Sequence, residues 1–326
     1  LNLFWQSLPD TLLTGLALGM MYALIALGYT LVYGILELIN FAHGDVFMLG
    51  GLFSWAMLQR FFGGPLSDNY GVLGGTTLVL AIVLAFLTAT VGCGAVGFVI
   101  ERFAYRPLRN APKLAPLVTA IGVSFIIENA VLVWQTGTGN TEIDYPSLIN
   151  QSFFHLDYFG WLAIDIPTKA IIVFIAAPIL MAFLLYLVGN TRIGKAMRAT
   201  AQDPEAARMM GIDTNRVISF TFVIGSVLAG AAGVVYALYY NSINYDIGFL
   251  AGLKAFTAAV LGGIGNIRGA VLGGILVGEV ESIMDSIDAA QGVGLQWAEP
   301  AVFLVLMLVL IFRPTGLLGA QVVDKA

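Results

Sequence analysis

Residues 190–216 read NTRIGKAMRATAQDPEAARMMGIDTNR, a polar stretch in an otherwise apolar chain, set between two segments that are each long enough to cross a bilayer. Because both flanks are committed to the membrane, this stretch must sit in water. Asp203 is a good helix N-cap, Pro204 fits the first helical position where its missing N–H costs nothing, and Gly211 supplies a left-handed residue that ends the turn. The spacing predicts a short, self-capped helix over 204–210, with Glu205 in its first turn. Ala206, Met209 and Met210 fall at i, i+3 and i+4, so one side of it is apolar although both neighbouring segments already lie in the membrane. That face fits a docking partner, and an ordinary solvated loop is the plain alternative. Asp213 can cap the helix that follows.

Working outward, the chain has 326 residues, of which 59% are hydrophobic and 11% charged, with a mean hydropathy of +0.88. These values exclude an ordinary soluble domain. Residues 11–36 carry no Asp, Glu, Lys or Arg, and at ~1.5 Å per residue such a run covers the ~30 Å hydrocarbon core. The runs are too long for barrel strands and do not alternate, which leaves helices as the spanning element. The 38 glycines suit close helix packing. Cys93, the single cysteine, has no partner for an intrachain disulfide and reads as a small packing contact between Gly92 and Gly94. Membrane lipid is the expected surrounding, with no nucleic-acid partner.

Charge distribution sets the topology. Arg102, Arg106, Arg109 and Lys113 form one basic cluster, and Arg192, Lys195, Arg198, Arg208 and Arg216 form a second; both are expected in the cytoplasm. Residues 135–168 carry Glu142, Asp144, Asp157 and Asp165 without a Lys or Arg, and face outside. A turn-rich loop around Gly63, Pro65 and Asn69 is also external. The expected fold is an all-α polytopic membrane bundle of about nine spans, eight to ten, with broken or short helices. It starts outside, ends inside, and forms one transmembrane domain over 1–326 that includes the loop at 190–216.

Polar groups inside the spans mark candidate function. Glu37, Asn40, His43 and Asp45 crowd together ahead of Gly50 and Gly51. They form either a short cytoplasmic turn or the start of a broken helix whose freed backbone lines a path. Glu128 lies in the outer half of a span; an ionised carboxylate there costs on the order of 3 kcal/mol on insertion scales, so it must face the bundle interior or a wet cavity. It is either a structural acid or part of a path. Asn40, His43, Asp45 and Glu128 are the path candidates. Residues 262–269, GGIGNIRG, match neither a dinucleotide nor a Walker pattern and read as a backbone feature. No catalytic, metal or cofactor constellation is expected, and any use of ATP must come from another chain.

Four blocks carry a resemblance: YALIALGYTLVYGILELINFAHGDVFMLGG (22–51), AMRATAQDPEAARMMGIDTNRV (196–217), AAVLGGIGNIRGAVLGGILVGEVES (258–282) and LIFRPTGLLG (310–319). Together they resemble the membrane subunits of Liv-type ABC importers for branched-chain amino acids, over nearly the full chain. By that resemblance the helix at 204–210 is a coupling helix entering a groove on a cytoplasmic ATPase, with Asp203, Pro204, Glu205, Ala206, Met209, Met210 and Gly211 forming the contact. The resemblance further implies a second, related permease chain, two ATPase subunits, a periplasmic binding protein and a place in the bacterial inner membrane. Similar permeases carry urea or short-chain amides, and the residues do not separate these cargoes from Leu, Ile and Val. The rival from another class is an ion-coupled secondary transporter with Glu128 as its proton site.

Overall fold

In the computed structural model residues 2–319 are described, except 69–72, 110, 113, 138, 140–141, 149–152, 159–161 and 292–296. Asn69 and Lys113 lie outside the described residues, as do the side chains of Asp157 and Asp165.

The chain runs through α1 (Asn2–Leu36), α2 (Ala42–Asp68) and α3 (Gly75–Ile100), which continues into a π-helical turn, Glu101–Tyr105, and a 3-10 turn, Arg106–Leu108. Next come α4 (Leu114–Gly137), β1 (Glu142–Asp144), β2 (Phe153–Tyr158), β3 (Leu162–Pro167), α5 (Thr168–Asn190), α6 (Arg192–Gln202) and α7 (Pro204–Met209). The remainder is α8 (Thr214–Tyr240), β4 (Ser242–Asn244), α9 (Ile247–Gly262), α10 (Ile267–Gln291) and α11 (Ala298–Phe312). Each expected crossing falls on one helix. Among the described residues five of them, α1, α3, α4, α5 and α8, are long and apolar enough to cross a membrane on those grounds alone. The shorter apolar helices α9 and α11 have 16 and 15 residues, in line with the short helices expected. The helical framework carries two antiparallel ribbons that the sequence reading did not anticipate, β2 with β3 and β1 with β4. The second of these pairs segments about a hundred residues apart, a register no local signal specifies.

Small residues set the packing. On α1, Gly15, Gly19 and Ala23 repeat at i, i+4 and meet Gly274, Gly278 and Glu279 of α10; a Cβ at Gly19 would stand 2.6 Å from the Ile275 Cα. The two backbones therefore approach as in a small-xxx-small seam, which substitutes dispersion contact for the hydrophobic effect that lipid cannot supply. Gly50 of α2 meets Gly230 of α8, and Gly230 in turn sits 2.8 Å, measured from its would-be Cβ, from the Cys93 sulfur of α3. Cys93 is the buried packing contact expected of it, its thiol 3.2 Å from the Val46 carbonyl oxygen. This arrangement puts α1 and α8 at the centre, largely buried, whereas most of α4 is exposed. Val79, Phe98, Phe125, Phe183 and Phe303 face outward from α3, α4, α5 and α11. Gly278→Val, which would drive a side chain into the Gly19 backbone, is expected to destabilise the protein by about 1–3 kcal/mol. Gly122→Ala, at an α4 position with nothing within 4 Å, is expected to leave the melting temperature in detergent unchanged or raise it slightly.

The ends of the bundle match the charge map. Arg109 donates to Asn215 at 2.5 Å, joining the two basic clusters at one end of α8. At its other end the Tyr145 N–H donates to the Asn241 carbonyl at 2.9 Å and Lys169 bonds the Asn241 side chain. The 27 residues of α8 separate these ends by about 40 Å.

Candidate coupling and permeation sites

The capped helix forms as its sequence dictates. Asp203 Oδ1 accepts from the Glu205 and Ala206 N–H groups at 2.9 and 3.0 Å, and Pro204 takes the first helical position. Gly211 has φ +85° with open space where a Cβ would stand, so the left-handed backbone and not crowding calls for glycine. Asp213 then caps α8, accepting from the Arg216 N–H at 3.1 Å. The reading of one apolar face is refined: Ala207 is the buried residue, Ala206 is partly buried, and Met209 and Met210 are each 83% exposed. Glu205 is exposed as well. Arg208 donates from Nε to the Thr214 hydroxyl at 2.9 Å, pinning α7 to the first turn of α8. A fixed helix thus presents two adaptable thioether side chains to water.

The sequence reading missed α6 just upstream. Thr191 caps it, accepting from the Gly194 N–H at 3.0 Å. Gly194, Met197 and Thr200 face inward while Lys195 and Arg198 stay in solvent, and Arg198 bonds the Val188 carbonyl at the end of α5. Also missed was Glu101, fully buried at the end of α3. It pairs with Arg109 and accepts from the Ser219 hydroxyl at 2.6 Å, so α3 is tied to α8 immediately beyond α7. Burial pulls the Arg109 guanidinium below its ordinary value, and Glu101 beside it opposes that shift. An acid opening an otherwise basic loop was the available signal.

The four path candidates separate into a cluster and an outlier. After α1 ends at Leu36, Glu37 adopts φ +53° and the chain turns back. His43 abuts Gly28 and Gly225, and Gly28 lies about 12 Å before the end of α1 at the helical rise. Residues 37–41 are a short turn between two unbroken helices, and α2 begins inside the bundle. Its first turn meets the start of α9, with Gly44 against Gly248 and Gly252. Asp45 is fully buried, its Oδ2 bonded by the Ser124 hydroxyl of α4, its Oδ1 without a hydrogen-bond partner. Glu128, one α4 turn beyond Ser124 and partly buried, is near enough to act electrostatically on Asp45. His43 lies edge-on to Tyr29 at 4.9 Å, bonds the Ile25 backbone, and leaves Nε2 without a partner. Asn40 stands apart, its Oδ1 accepting from the Tyr105 hydroxyl at 3.1 Å. Ser124 escaped the sequence reading, although its i, i+4 relation to Glu128 puts both on one helix face.

A second ionic group was also missed. Lys254 of α9 lies 2.8 Å from Glu281 of α10 and 3.5 Å from Glu299 of α11, and Tyr22 of α1 bonds Glu281. A single lysine in an apolar helix was its signal. The GGIGNIRG segment is the backbone feature expected: Gly263 and Gly265 have φ +107° and +91°, Asn266 caps α10, and its amide holds the Leu318 carbonyl at 2.7 Å.

Residues 11–312, from the first span to the end of α11, match the family described as branched-chain amino acid transport system / permease component. The chain belongs to this permease family. It is 41% identical over 317 residues, 96% of either chain, to the high-affinity branched-chain amino acid transport system permease protein BraD of Pseudomonas aeruginosa. It is 40% identical over 313 residues, 95% of either chain, to the permease protein LivH of Escherichia coli K12. The autoinducer 2 import system permease protein LsrC of Yersinia pseudotuberculosis is 31% identical over 147 residues, 43% of this chain and 38% of LsrC. No solved structure matches. The protein is thus a multi-pass membrane permease component of a transport system, and the matched residues take in α7, the Asp45 group and the Lys254 group.

Proposed function

We propose that this permease is the membrane subunit of an ATP-driven importer for leucine, isoleucine and valine in the bacterial inner membrane. It works with a second related permease, two cytoplasmic ATPase subunits and a periplasmic binding protein, and ATP hydrolysis resides in the ATPase chains. The observation that carries the reading is α7: capped at both ends, lying between two spans, with Met209 and Met210 projecting into water on a chain 41% identical to BraD. Asp203, Pro204, Glu205, Ala206 and Gly211 shape that helix, and the two methionines enter the ATPase groove. Movement of α7 passes through Ala207 and the Arg208–Thr214 bond to α8, and through Glu101 and Arg109 to α3. Gly225 of α8 abuts His43, so the same displacement reaches the start of α2.

In this scheme Asp45 and Glu128, with Ser124 between them, face the ammonium group of the amino acid, because paired carboxylates in a low-dielectric site favour a cation strongly. Asn40 and His43 hold the inward start of α2 in place. In cells lacking the chromosomal copy, the chain restores uptake of labelled leucine but not of urea. Glu128→Gln lowers leucine uptake about tenfold, the loss of one charge-assisted contact worth ~1.4 kcal/mol, while uptake still requires ATP. If leucine uptake is the same with and without the chain, the proposed cargo is wrong.

A further inference from the structure

An open cleft of about 560 Å³ lies between α3 and α8, at the end of that seam that carries the basic clusters. Phe98, Phe220 and Val223 line it toward the membrane, and Arg106 and Arg216 line its rim together with Asp213. The charge is unbalanced. Asp213 already pairs with Arg216 at 3.0 Å, and Glu101 is consumed by Arg109 and Ser219. Arg106 makes no ion pair among the described residues, although it is partly buried and repelled by Arg109. The cleft therefore holds surplus positive charge next to the exposed Phe98 and the half-buried Phe220 and Val223.

We propose that this cleft binds one anionic phospholipid of the cytoplasmic leaflet, its phosphate between Arg106 and Arg216 and an acyl chain along Phe98 and Val223. Free phosphate would use the arginines alone and leave the apolar wall in contact with water. A diacyl lipid satisfies both, and basic pockets between spans on the cytoplasmic side favour acidic headgroups. The site joins α3 to α8 within one helical turn of Ser219, so an occupied cleft braces the joint through which α7 reaches the bundle.

The test is native mass spectrometry of the full-length permease, purified in detergent and exposed to phosphatidylglycerol or phosphatidylcholine at equal concentration. The expected result is one phosphatidylglycerol retained at least fivefold better than phosphatidylcholine. Arg106→Gln with Arg216→Gln reduces that preference by about fivefold, to near parity, and Arg106→Lys with Arg216→Lys keeps most of it in a similarly folded protein. Inorganic phosphate at millimolar concentration does not displace the lipid. Equal retention of the two lipids, or full preference in the Gln variant, overturns the proposal, and displacement by inorganic phosphate assigns the site to a free anion instead. Loss of ATPase co-purification in the Gln variant with lipid preference intact gives the surface to the partner protein.

Discussion

Replacing Met209 and Met210 together by Asp is expected to reduce ATPase co-purification and ATP-driven uptake by at least tenfold while leaving membrane insertion and the melting temperature unchanged. Both side chains are 83% exposed, so the folded permease alone does not register the change beyond a few tenths of a kcal/mol. In a complex they would enter an apolar groove, where an unpaired carboxylate costs several kcal/mol and a lost anchor costs roughly 2 kcal/mol or more. The contrast with the neighbouring position is diagnostic. Ala207→Asp places a charge at a buried residue and is expected to destabilise α7 itself, lowering stability as well as coupling. Normal ATPase co-purification by the Met209/Met210 variant would remove α7 from the docking surface.

The second large effect concerns Glu101. Glu101→Ala is expected to cost about 3–5 kcal/mol, because removing one member of a buried pair leaves the other charge uncompensated. Here the stranded group is Arg109, whose side chain is only 15% exposed, and the Ser219 hydroxyl also loses its acceptor. Glu101→Ala combined with Arg109→Leu is expected to recover much of that loss, since the charge to be compensated is gone. Equilibrium unfolding in detergent reads both. A Glu101→Ala cost below about 1 kcal/mol, the range of a solvent-exposed ion pair, would show that the pair does not hold α3 to α8. Because this joint is the proposed route from α7 to α3, the variant that still folds is further expected to hydrolyse ATP in the complex with reduced uptake per ATP.

What could be read from the sequence follows the range of the interactions. The caps at Asp203, Gly211 and Asp213 are decided within three or four residues, and each appears as read. Spans longer than twenty residues announce themselves by hydropathy, and short α9 ends where the GGIGNIRG backbone feature begins. The seam of Gly15 and Gly19 on Gly274 and Gly278 joins residues some 260 positions apart, and many other glycines offer the same spacing. The β1–β4 pairing has the same character. At the candidate site, Asp45 and Glu128 were separately conspicuous as charges in apolar surroundings, but their convergence through Ser124 depends on α4 packing against α2. Asn40 was grouped with them because it is adjacent in sequence, whereas the inward start of α2 turns it toward Tyr105. Lys254, Glu281 and Glu299 sit on three different helices, so their ionic group exists only in the folded bundle.

The central claim is that free energy for uptake enters this permease from partner chains through α7 and not from an ion gradient. Reconstitution into liposomes tests it most directly, with labelled leucine as the solute and the second permease, ATPase subunits and binding protein added or withheld. The permease alone is predicted to accumulate no leucine under an imposed proton or sodium gradient, and the complete set is predicted to accumulate it only with ATP on the cytoplasmic side. Concentrative leucine uptake by the isolated chain under a gradient, abolished by Glu128→Gln, would contradict the claim and make Glu128 the coupling acid of a secondary transporter.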